Sequence, residues 1–429
     1  MLDIKFIREN FEFVKAGAKK KHVEVDLDQL MTLDERRREL MALLETKKAE
    51  QNKVSEVVAT VEEPKRSELI SGMKTLKDEM QKIEDELHVV LAEWRRLMVL
   101  VPNIPDISVP EGDSDKDNLE VRTCGDKPHF NFAVKSHIEL GHLHDMADFE
   151  RGAKVSGFRG YFLKGMGARL NYALWNFASD FLLKRDPKFV PLMVPSLVRR
   201  EPFIGTGYLP QSEDDLYKTQ DNDFLAGTAE VGAMSYYMDE MLDRDMLPVK
   251  FLAFSPCFRR EAGSHGKDTK GLMRVHEFFK FEQIILCEAS HEQSVAFHEE
   301  LLANSEAIMQ ALNIPYRVVI NCGGDIGLGQ VKKYDIEAWV PSEKTYRETH
   351  SASYFHDFQS RRLNIRYRDS EGVMRFVHSL NNTAIATPRL LIPIMENNQK
   401  ADGSIKVPDV LVPYLGDMSV IESPKLIKD

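Results

Sequence analysis

The chain has 429 residues, of which 43% are hydrophobic and 29% charged, values that are ordinary for a globular protein of roughly two or three domains. The formal net charge of -11 excludes a protein that wraps nucleic acid through its overall charge, so any RNA binding must come from local basic patches. The N-terminal residues lack the apolar core of a signal peptide, no apolar run approaches membrane-spanning length, and the four cysteines lack C-x-x-C spacing, so we expect a cytoplasmic enzyme with reduced thiols.

Residues 1–102 are predicted to form a helical domain around a long antiparallel hairpin. After a short helical start up to about residue 26, a first long helix runs from about Thr32 to a break at Glu63-Pro64. In the second helix, apolar residues alternate steps of four and three, which is the spacing of a coiled coil. These residues are Leu69, Met73, Leu76, Met80, Ile83, Leu87, Val90, Trp94, Leu97 and Val101. Two helices of about 30 residues would project on the order of 45 Å.

The surface of this hairpin carries many cations, but acidic residues are interleaved at similar density. A dimerisation coil or a structural spacer would show the same periodicity, so the pattern by itself leaves the role of the hairpin open. The cations are Arg36, Arg37, Arg38, Lys47, Lys48, Lys53, Lys65, Arg66, Lys74 and Lys77.

Residues 103–125 are predicted to be a linker, because three prolines followed by acidic and small residues cannot extend a helix. From about Thr123 onward, the pattern changes to short strands interrupted by helices. An amphipathic helix from Leu170 to Arg185 precedes an apolar strand over 189–198, although a buried core helix and strand would look the same.

The most informative stretch is 257–282, which is predicted to be a strand, a polar Gly-rich loop and a second strand. Arg259 and Glu261 lie two residues apart, so alternation points both side chains the same way. His276, Phe278, Lys280 and Glu282 share one face of the returning strand by the same argument. If the strands pair, this face suits a nucleotide phosphate and its base, although a solvated edge hairpin would show the same alternation.

Three further segments carry polar residues in or near predicted strands. Thr228 and Glu230 are expected on one strand face, and residues 334–353 contain a second polar group. Residues 377–389 lead into an apolar helix, with Arg389 near its start. Because a cation is disfavoured at the positive end of a helix, Arg389 is more plausible facing an anion or stacked on a ring.

These segments together resemble one family. F-R-R-E, the loop E-A-G-S-H-G-K-D-T-K-G-L and R-V-H-E-F-F-K-F-E, which together span residues 258–282, resemble motif 2 of class II aminoacyl-tRNA synthetases, and the loop is most similar to that of seryl-tRNA synthetases. Residues 170–198 resemble motif 1, and residues 377–389 resemble motif 3. The family's other matching segments are T-A-E at 228–230, Y-D-I-E-A-W-V-P at 334–341, R-E-T-H-S-A-S at 347–353 and D-F-Q-S-R-R at 357–362.

The resemblance implies an α+β fold, in which an N-terminal coiled-coil hairpin (within 1–102) precedes a linker (103–125) and a class II catalytic domain (126–429) with an antiparallel β-sheet flanked by helices. It implies ATP-dependent ligation of L-serine to tRNA(Ser) through a seryl-adenylate, with tRNA(Sec) as a further candidate acceptor. The hairpin would bind the tRNA, and motif 1 would form a homodimer interface. No protein nucleophile is needed, and no G-x-S-x-G or P-loop pattern offers one.

The resemblance also implies roles for individual residues. Catalysis is expected from Arg259, Glu261 and Arg389. Serine is expected to contact Thr228, Ala229, Glu230, Arg259, Glu282, Asn381 and Thr383. ATP is expected to contact Arg259, Arg260, Glu261, Val275, Phe278, Glu348, Thr349, His350, Ser351 and Arg389, and Mg²⁺ would be held by Glu348 and Ser351.

The chain departs from the family pattern at three positions: Gly232 replaces the usual proline, His350 replaces a small residue, and Asn382 replaces a glycine. The sequence also bears on two alternatives to a synthetase. A relative that loads an amino acid onto a carrier protein would lack the heptads at 69–101. A non-catalytic paralogue acting as an RNA-binding or scaffold protein would lose Arg259 or Glu282, among others, and both are present.

Overall fold

The computed structural model describes residues 1–263, 266 and 268–424. Three residues of the motif 2 loop lie outside the described residues: Ser264, His265 and Lys267. The chain divides into two compact units, one formed by residues 3–19 and 23–102 and the other by residues 1–2, 20–22 and 103–429. Among the described residues, no helix combines the length and the apolarity that a membrane span requires.

The smaller unit is helical, and its long hairpin confirms the prediction. Its helices are α1 (Ile4–Glu9), α2 (Phe11–Lys20), α3 (Leu27–Val58) and α4 (Lys65–Met98). Helix α3 begins five residues earlier than predicted, because the Asp26 side chain accepts a hydrogen bond from the Gln29 amide and caps the helix there. All ten predicted heptad residues are buried or half-buried.

Ion pairs between the two long helices show that they run antiparallel. Arg36 pairs with Glu86 at 2.7 Å and Lys47 with Glu79 at 2.8 Å, so residue numbers rise along one helix as they fall along the other. Leu44 of α3 packs with residues of α4 along the apolar seam.

The larger unit contains eight further α-helices among the described residues. They are α5 (His137–Leu143), α6 (Phe149–Ser156), α7 (Met166–Arg185), α8 (Arg200–Thr206), α9 (Ala229–Met234), α10 (His291–Ala311), α11 (Phe358–Leu363) and α12 (Leu391–Asn397). Helix α7 corresponds to the predicted amphipathic helix and begins one turn earlier.

Its strands build one large sheet and several small ones. The strands are β1 (Leu119–Cys124), β2 (Ala147–Asp148), β3 (Phe162–Leu163), β4 (Val190–Met193), β5 (Leu197–Val198), β6 (Tyr217–Lys218), β7 (Phe224–Leu225), β8 (Met241–Leu242), β9 (Val249–Phe258), β10 (Glu277–Cys287), β11 (Tyr316–Ile320), β12 (Lys332–Val340), β13 (Thr345–His356), β14 (Arg366–Arg368), β15 (Met374–Phe376), β16 (His378–Thr387), β17 (Ile405–Lys406) and β18 (Val420–Ile421).

The large sheet has eight strands in the order β1-β11-β12-β13-β16-β10-β9-β4. Every pair in it is antiparallel except β4 with β9. The predicted apolar strand over 189–198 is two strands, β4 and β5, which belong to different sheets. The predicted linker over 103–125 also differs, because it contains the edge strand β1, in which apolar Leu119 and Val121 are exposed, so burial does not alternate along the strand.

The two faces of the large sheet are covered differently. One face packs against α7 and α10 through a continuous apolar core that includes Leu174, Ile285 and Leu301. On the other face, α9 and α11 cover one end, where Ile284 and Leu363 share a second apolar cluster. The opposite end of this second face remains open, and it is where polar side chains collect.

Candidate active site

A cavity of about 220 Å³ occupies the open end of the second face. Strands β10, β12, β13 and β16 contribute side chains to its lining, and the residues that directly follow β9 and directly precede β10 form part of its wall. The side chains around it are mostly polar or charged. They include Tyr208, Glu230, Arg259, Glu261, Arg274, Val275, Phe278, Lys280, Glu282, Gln330, Lys333, Glu348, Thr349, Ser351, Ser353, Asn381, Thr383 and Arg389.

Strands β9 and β10 pair as predicted, and the alternation along β10 holds. Phe278, Lys280 and Glu282 all line the cavity. Arg259 and Glu261 line it too, although β9 ends one residue earlier, because the chain turns there and Glu261 adopts a left-handed φ of 56°. His276 does not reach this cavity, since it precedes β10 and its Nδ1 lies 2.9 Å from the Arg259 carbonyl.

Glu230 accepts three side-chain hydrogen bonds at one end of the cavity. Its Oε2 accepts from the Tyr208 hydroxyl at 2.9 Å and from Asn381 Nδ2 at 2.7 Å, and its Oε1 accepts from Gln359 Nε2 at 2.7 Å. Glu230 is only 3% exposed. Burial, reinforced by the charge of Glu282, raises the pKa of Glu230 to about 7.

Glu282 is the second buried carboxylate at this end. Its Oε2 forms a close ion pair with the Lys280 ammonium and accepts from the Thr228 hydroxyl at 3.4 Å. The expectation that Thr228 and Glu230 share a strand face is wrong, because Thr228 is the N-cap of α9 and its hydroxyl accepts from the Glu230 amide. Helix capping therefore decides the position of Thr228, and Ala229 points into the apolar core instead of the cavity.

A register shift in β16 places the remaining residues of the serine end. Glu282 of β10 pairs with Thr383, whereas the preceding Phe281 pairs with Ile385, so Ala384 is an extra residue in β16. Asn381 and Thr383 face the cavity before this bulge, and Ala386 faces it after the bulge.

Asn382, which departs from the family pattern and precedes Thr383, has its side chain on the other side of the sheet. Asn382 Nδ2 donates to the Ser305 hydroxyl at 2.8 Å and to the carbonyl of Leu301, both on α10. Asn382 therefore joins β16 to the helix behind it and does not line the cavity.

The other end of the cavity is rich in arginine and has one aromatic ring. The Arg259 guanidinium lies 5.2 Å from the centre of the Phe278 ring, and its Nε donates to the Gly227 carbonyl at 3.2 Å. Arg389 Nε donates to the Met273 carbonyl at 3.0 Å, and Arg389 Nη1 lies 4.0 Å from Glu348 Oε2. Guanidinium groups arranged in this way suit phosphate oxygens, and the half-buried ring, which lines the cavity, offers a stacking surface for a base.

A second bulge, in β13, brings Glu348 and Ser351 to the same face. Ile336 of β12 pairs with His350, whereas Glu337 pairs with Glu348, so Thr349 is the extra residue. A carboxylate and a hydroxyl are hard oxygen ligands of the kind Mg²⁺ accepts. Within the described part of the chain, no three His, Cys, Asp or Glu side chains are grouped to hold a metal. A magnesium ion at this pair would therefore take most of its ligands from phosphate and water.

The structure does not bring Arg260 or His350 to the cavity. Arg260 is exposed, and its Nη1 donates to the Asp214 carbonyl at 2.9 Å, because it points to the opposite side of the chain from Arg259. His350 follows the bulge in β13 and is fully buried, with Nδ1 2.8 Å from the Thr349 hydroxyl. Burial lowers the pKa of His350 to about 4, so it is a neutral core residue near pH 7.

Several cavity residues had no clear signal in the sequence. Arg274 lines the cavity and binds Glu261 Oε2 at 3.0 Å and Asp268 Oδ2 at 3.0 Å. Its position four residues before Phe278 in the returning segment could have marked it. Tyr208 comes from a region without a recognisable motif. Gln359 lies behind the cavity wall, within D-F-Q-S-R-R, a segment whose resemblance to the family implied no role for it.

Asp268 extends the ion pairs of Arg274 into a longer charge network. Its Oδ1 lies 2.7 Å from Arg347, which in turn pairs with Glu343 at 2.6 Å. The described end of the motif 2 loop is thus tied by charge to the start of β13. A wider cavity of about 870 Å³ adjoins this network and shares Arg259, Arg274, Lys333, Glu348 and Arg389 with the first.

Comparison with known proteins gives one consistent result. The seryl-tRNA synthetase N-terminal domain model matches residues 1–105, and the tRNA synthetase class II core domain (G, H, P, S and T) model matches residues 214–398. The chain is 46% identical to a serine–tRNA ligase of Deinococcus radiodurans, over 99% of this chain and 100% of that protein. Among solved structures, the seryl-tRNA synthetase of Pyrococcus horikoshii complexed with ATP is similar, with a TM-score of 0.91, 37% identity and coverage of 99% and 100%. The cytoplasmic enzyme of Naegleria fowleri in complex with AMP has a TM-score of 0.87 at 32% identity, with coverage of 99% of each chain.

Proposed function

The chain belongs to the seryl-tRNA synthetase family of class II aminoacyl-tRNA synthetases, and from this premise we propose that it ligates L-serine to tRNA(Ser) with ATP. One observation supports this activity best. A single cavity holds two buried carboxylates at one end and arginines with an aromatic ring at the other. The first end suits the cation and hydroxyl of serine, and the second suits a nucleotide.

At the serine end, Glu230 and Glu282 bind the substrate ammonium and hydroxyl, and Arg259 binds the carboxylate. Thr383 closes the pocket on the side of β16. Buried groups that hydrogen-bond a hydroxyl are left unpaired by alanine, which is thereby rejected by up to roughly 10⁴-fold. Threonine is rejected because its additional methyl group has no room.

At the nucleotide end, Phe278 and Arg389 hold the base, and Arg259 and Arg274 neutralise phosphate charge. Glu348 and Ser351 would hold Mg²⁺, which supplies further charge neutralisation at the phosphates when bound. The serine carboxylate attacks the α-phosphorus, and pyrophosphate leaves. A terminal ribose hydroxyl of the tRNA then attacks the seryl carbonyl and releases AMP, so catalysis consists of positioning and charge stabilisation.

We propose that the hairpin of α3 and α4 binds tRNA(Ser), with tRNA(Sec) as a second candidate acceptor. We also propose a homodimer through α7 and β4. Strand β4 is an edge of the large sheet, and its Val190 and Met193 side chains are 54% and 83% exposed, as expected of an uncovered interface. The four cysteines are all free, which supports a reducing cytoplasm.

The decisive experiment is ATP–pyrophosphate exchange with serine as the amino acid, first without tRNA and then followed by serylation of tRNA(Ser). Exchange that depends on serine and does not occur with alanine or threonine would support the proposal. Activation of a different amino acid would contradict the assignment of serine as the substrate, and activation of none would favour a non-catalytic paralogue. Sedimentation of the purified protein tests the dimer.

A further inference from the structure

We infer that Gln359, oriented by Ser379, is a positioning residue that holds the Glu230 carboxylate in place for the ammonium group of the amino acid and thereby sets the affinity for serine. This inference rests on the proposed function and extends it to a residue behind the cavity wall. Gln359 is 1% exposed and is the second residue of α11.

Every polar atom of the Gln359 amide has a defined partner. Its Nε2 donates to Glu230 Oε1 at 2.7 Å and to the Thr206 carbonyl at 3.2 Å, and its Oε1 accepts from the Ser379 hydroxyl at 2.7 Å. The flipped amide would place its oxygen against a carboxylate and a carbonyl, both of which are acceptors. The network therefore allows one orientation of the amide, with its two N–H groups toward Glu230 and Thr206.

Gln359 binds a different oxygen of the Glu230 carboxylate from the other two donors. Among the described residues, it is the one recorded donor to Oε1, whereas Tyr208 and Asn381 both donate to Oε2. Loss of the Gln359 amide would leave Oε1 buried without that bond and would free the carboxylate to rotate. The hydrogen bonds from Gln359 and Tyr208 also oppose the rise in the pKa of Glu230 that burial causes, so they favour the anion that an ammonium group binds.

A glutamine with a purely structural role shows a different pattern in the same protein. Gln399 is 5% exposed, and its side chain binds the backbone of Lys135 and Glu396. It therefore has similar burial and a similar number of hydrogen bonds, but no carboxylate of the cavity among its partners. Gln399→Met is a matched control for Gln359→Met, because both variants keep the side-chain length and remove the amide.

The test measures serine-dependent ATP–pyrophosphate exchange of both variants and the wild type over a range of pH. For Gln359→Met, we expect KM for serine to rise roughly ten- to hundredfold, as for a lost hydrogen bond to a charged group, while KM for ATP changes little. The acidic limb of kcat/KM for serine should move to higher pH by about one unit, because Glu230 then keeps its proton longer. Gln399→Met should lose comparable thermal stability without either change.

The inference is overturned if Gln359→Met loses stability but keeps the wild-type KM for serine and the wild-type pH profile. If Gln359→Met does not fold, Ser379→Ala provides the same comparison, since it removes only the hydroxyl that orients the amide. A raised KM for serine in Ser379→Ala then supports the inference, and an unchanged KM contradicts it. Wild-type protein without serine-dependent exchange would overturn the proposed function as well, whereas normal wild-type exchange with unaffected variants overturns this inference alone.

Discussion

Glu282 and Thr383 pair across β10 and β16 at the point where the register of the two strands shifts by one residue. Beside the bulge at Ala384, the Ser305 hydroxyl of α10 donates to the Thr383 carbonyl at 2.8 Å. A buried helix behind the sheet thus holds the position of a residue that faces the serine end of the cavity.

Removal of this support should weaken serine binding selectively. For Ser305→Ala, which also removes the acceptor of Asn382 Nδ2, we expect KM for serine to rise roughly three- to tenfold, with little change in KM for ATP. Steady-state exchange kinetics measure both constants. Ser294→Ala, on the same helix, is a matched control, since its hydroxyl is equally buried but binds Ser290 and His378. Equal effects of the two variants on KM for serine would contradict the prediction.

The Asp268 carboxylate should compete with the phosphates of ATP for the Arg274 guanidinium. Asp268 binds both Arg274 and Arg347, so Asp268→Asn releases Arg274 from one of its two carboxylates. We expect KM for ATP to fall about two- to fivefold, and less at high salt, because the pairs are partly exposed. Glu343→Gln, which removes a partner of Arg347 on the far side, should leave KM for ATP unchanged. An increase in KM for ATP in Asp268→Asn would show that the carboxylate assists binding.

The ionisation of Glu230 should lower the free energy of unfolding near neutral pH. Its pKa is raised to about 7 in the folded protein from an ordinary value of 4.5, so between these values the folded state binds more protons than the unfolded state. Stability from this group therefore falls as pH rises from about 4.5 to 7, by on the order of 3 kcal/mol.

Urea unfolding of Glu230→Gln across pH 4 to 8 checks this sign. The free energy of unfolding of the variant relative to the wild type should increase with pH over that window, while exchange activity is lost. Glu240→Gln, at an exposed glutamate, should show no such slope. A difference that stays constant with pH would mean that Glu230 ionises as readily in the folded as in the unfolded state.

The buried His298 should have the opposite effect, because its protonation in acid should lower the free energy of unfolding. Burial lowers the pKa of His298 to about 4, and its Nε2 lies 2.9 Å from the Ala352 carbonyl. Because the unfolded state binds more protons below about pH 6.5, the stability from this group is lost as pH falls from about 6.5 to 4. For His298→Gln, we expect a shallower loss of unfolding free energy over that range, whereas His129→Gln, at an exposed position, should follow the wild type.

Cations of the hairpin should contribute to tRNA binding and not to amino-acid activation. Lys53 and Arg66 are exposed near its tip, whereas Lys47 and Lys48 are paired with glutamates of α4. For Lys53→Gln and Arg66→Gln, we expect a several-fold higher KM for tRNA and a salt dependence reduced by about one unit of slope per lost phosphate contact.

Aminoacylation assays at several salt concentrations measure both effects. Exchange without tRNA should stay at the wild-type rate in these variants, and Lys188→Gln, an exposed cation of the larger unit, should leave aminoacylation unchanged. A loss of tRNA-independent exchange would instead indicate a general folding defect.

The local sequence pattern was enough to predict those helices and strands whose apolar or polar side chains recur at one regular spacing. The heptads of α4 predicted a hairpin that the structure confirms, and the alternation along β10 placed Phe278, Lys280 and Glu282 on one face. Both patterns follow from the geometry of a single helix or strand, so neighbouring residues alone carry the information.

The sequence by itself therefore determined the hairpin, the paired strands of motif 2 and the family of the chain. Only the tertiary structure decided that bulges at Thr349 and Ala384 would break the alternation, that Thr228 would cap a helix, and that Gln359 would reach Glu230 from a distant segment. The physical reason is that strand register and buried hydrogen bonds depend on partners far apart in the chain, and no local period encodes which partners will meet.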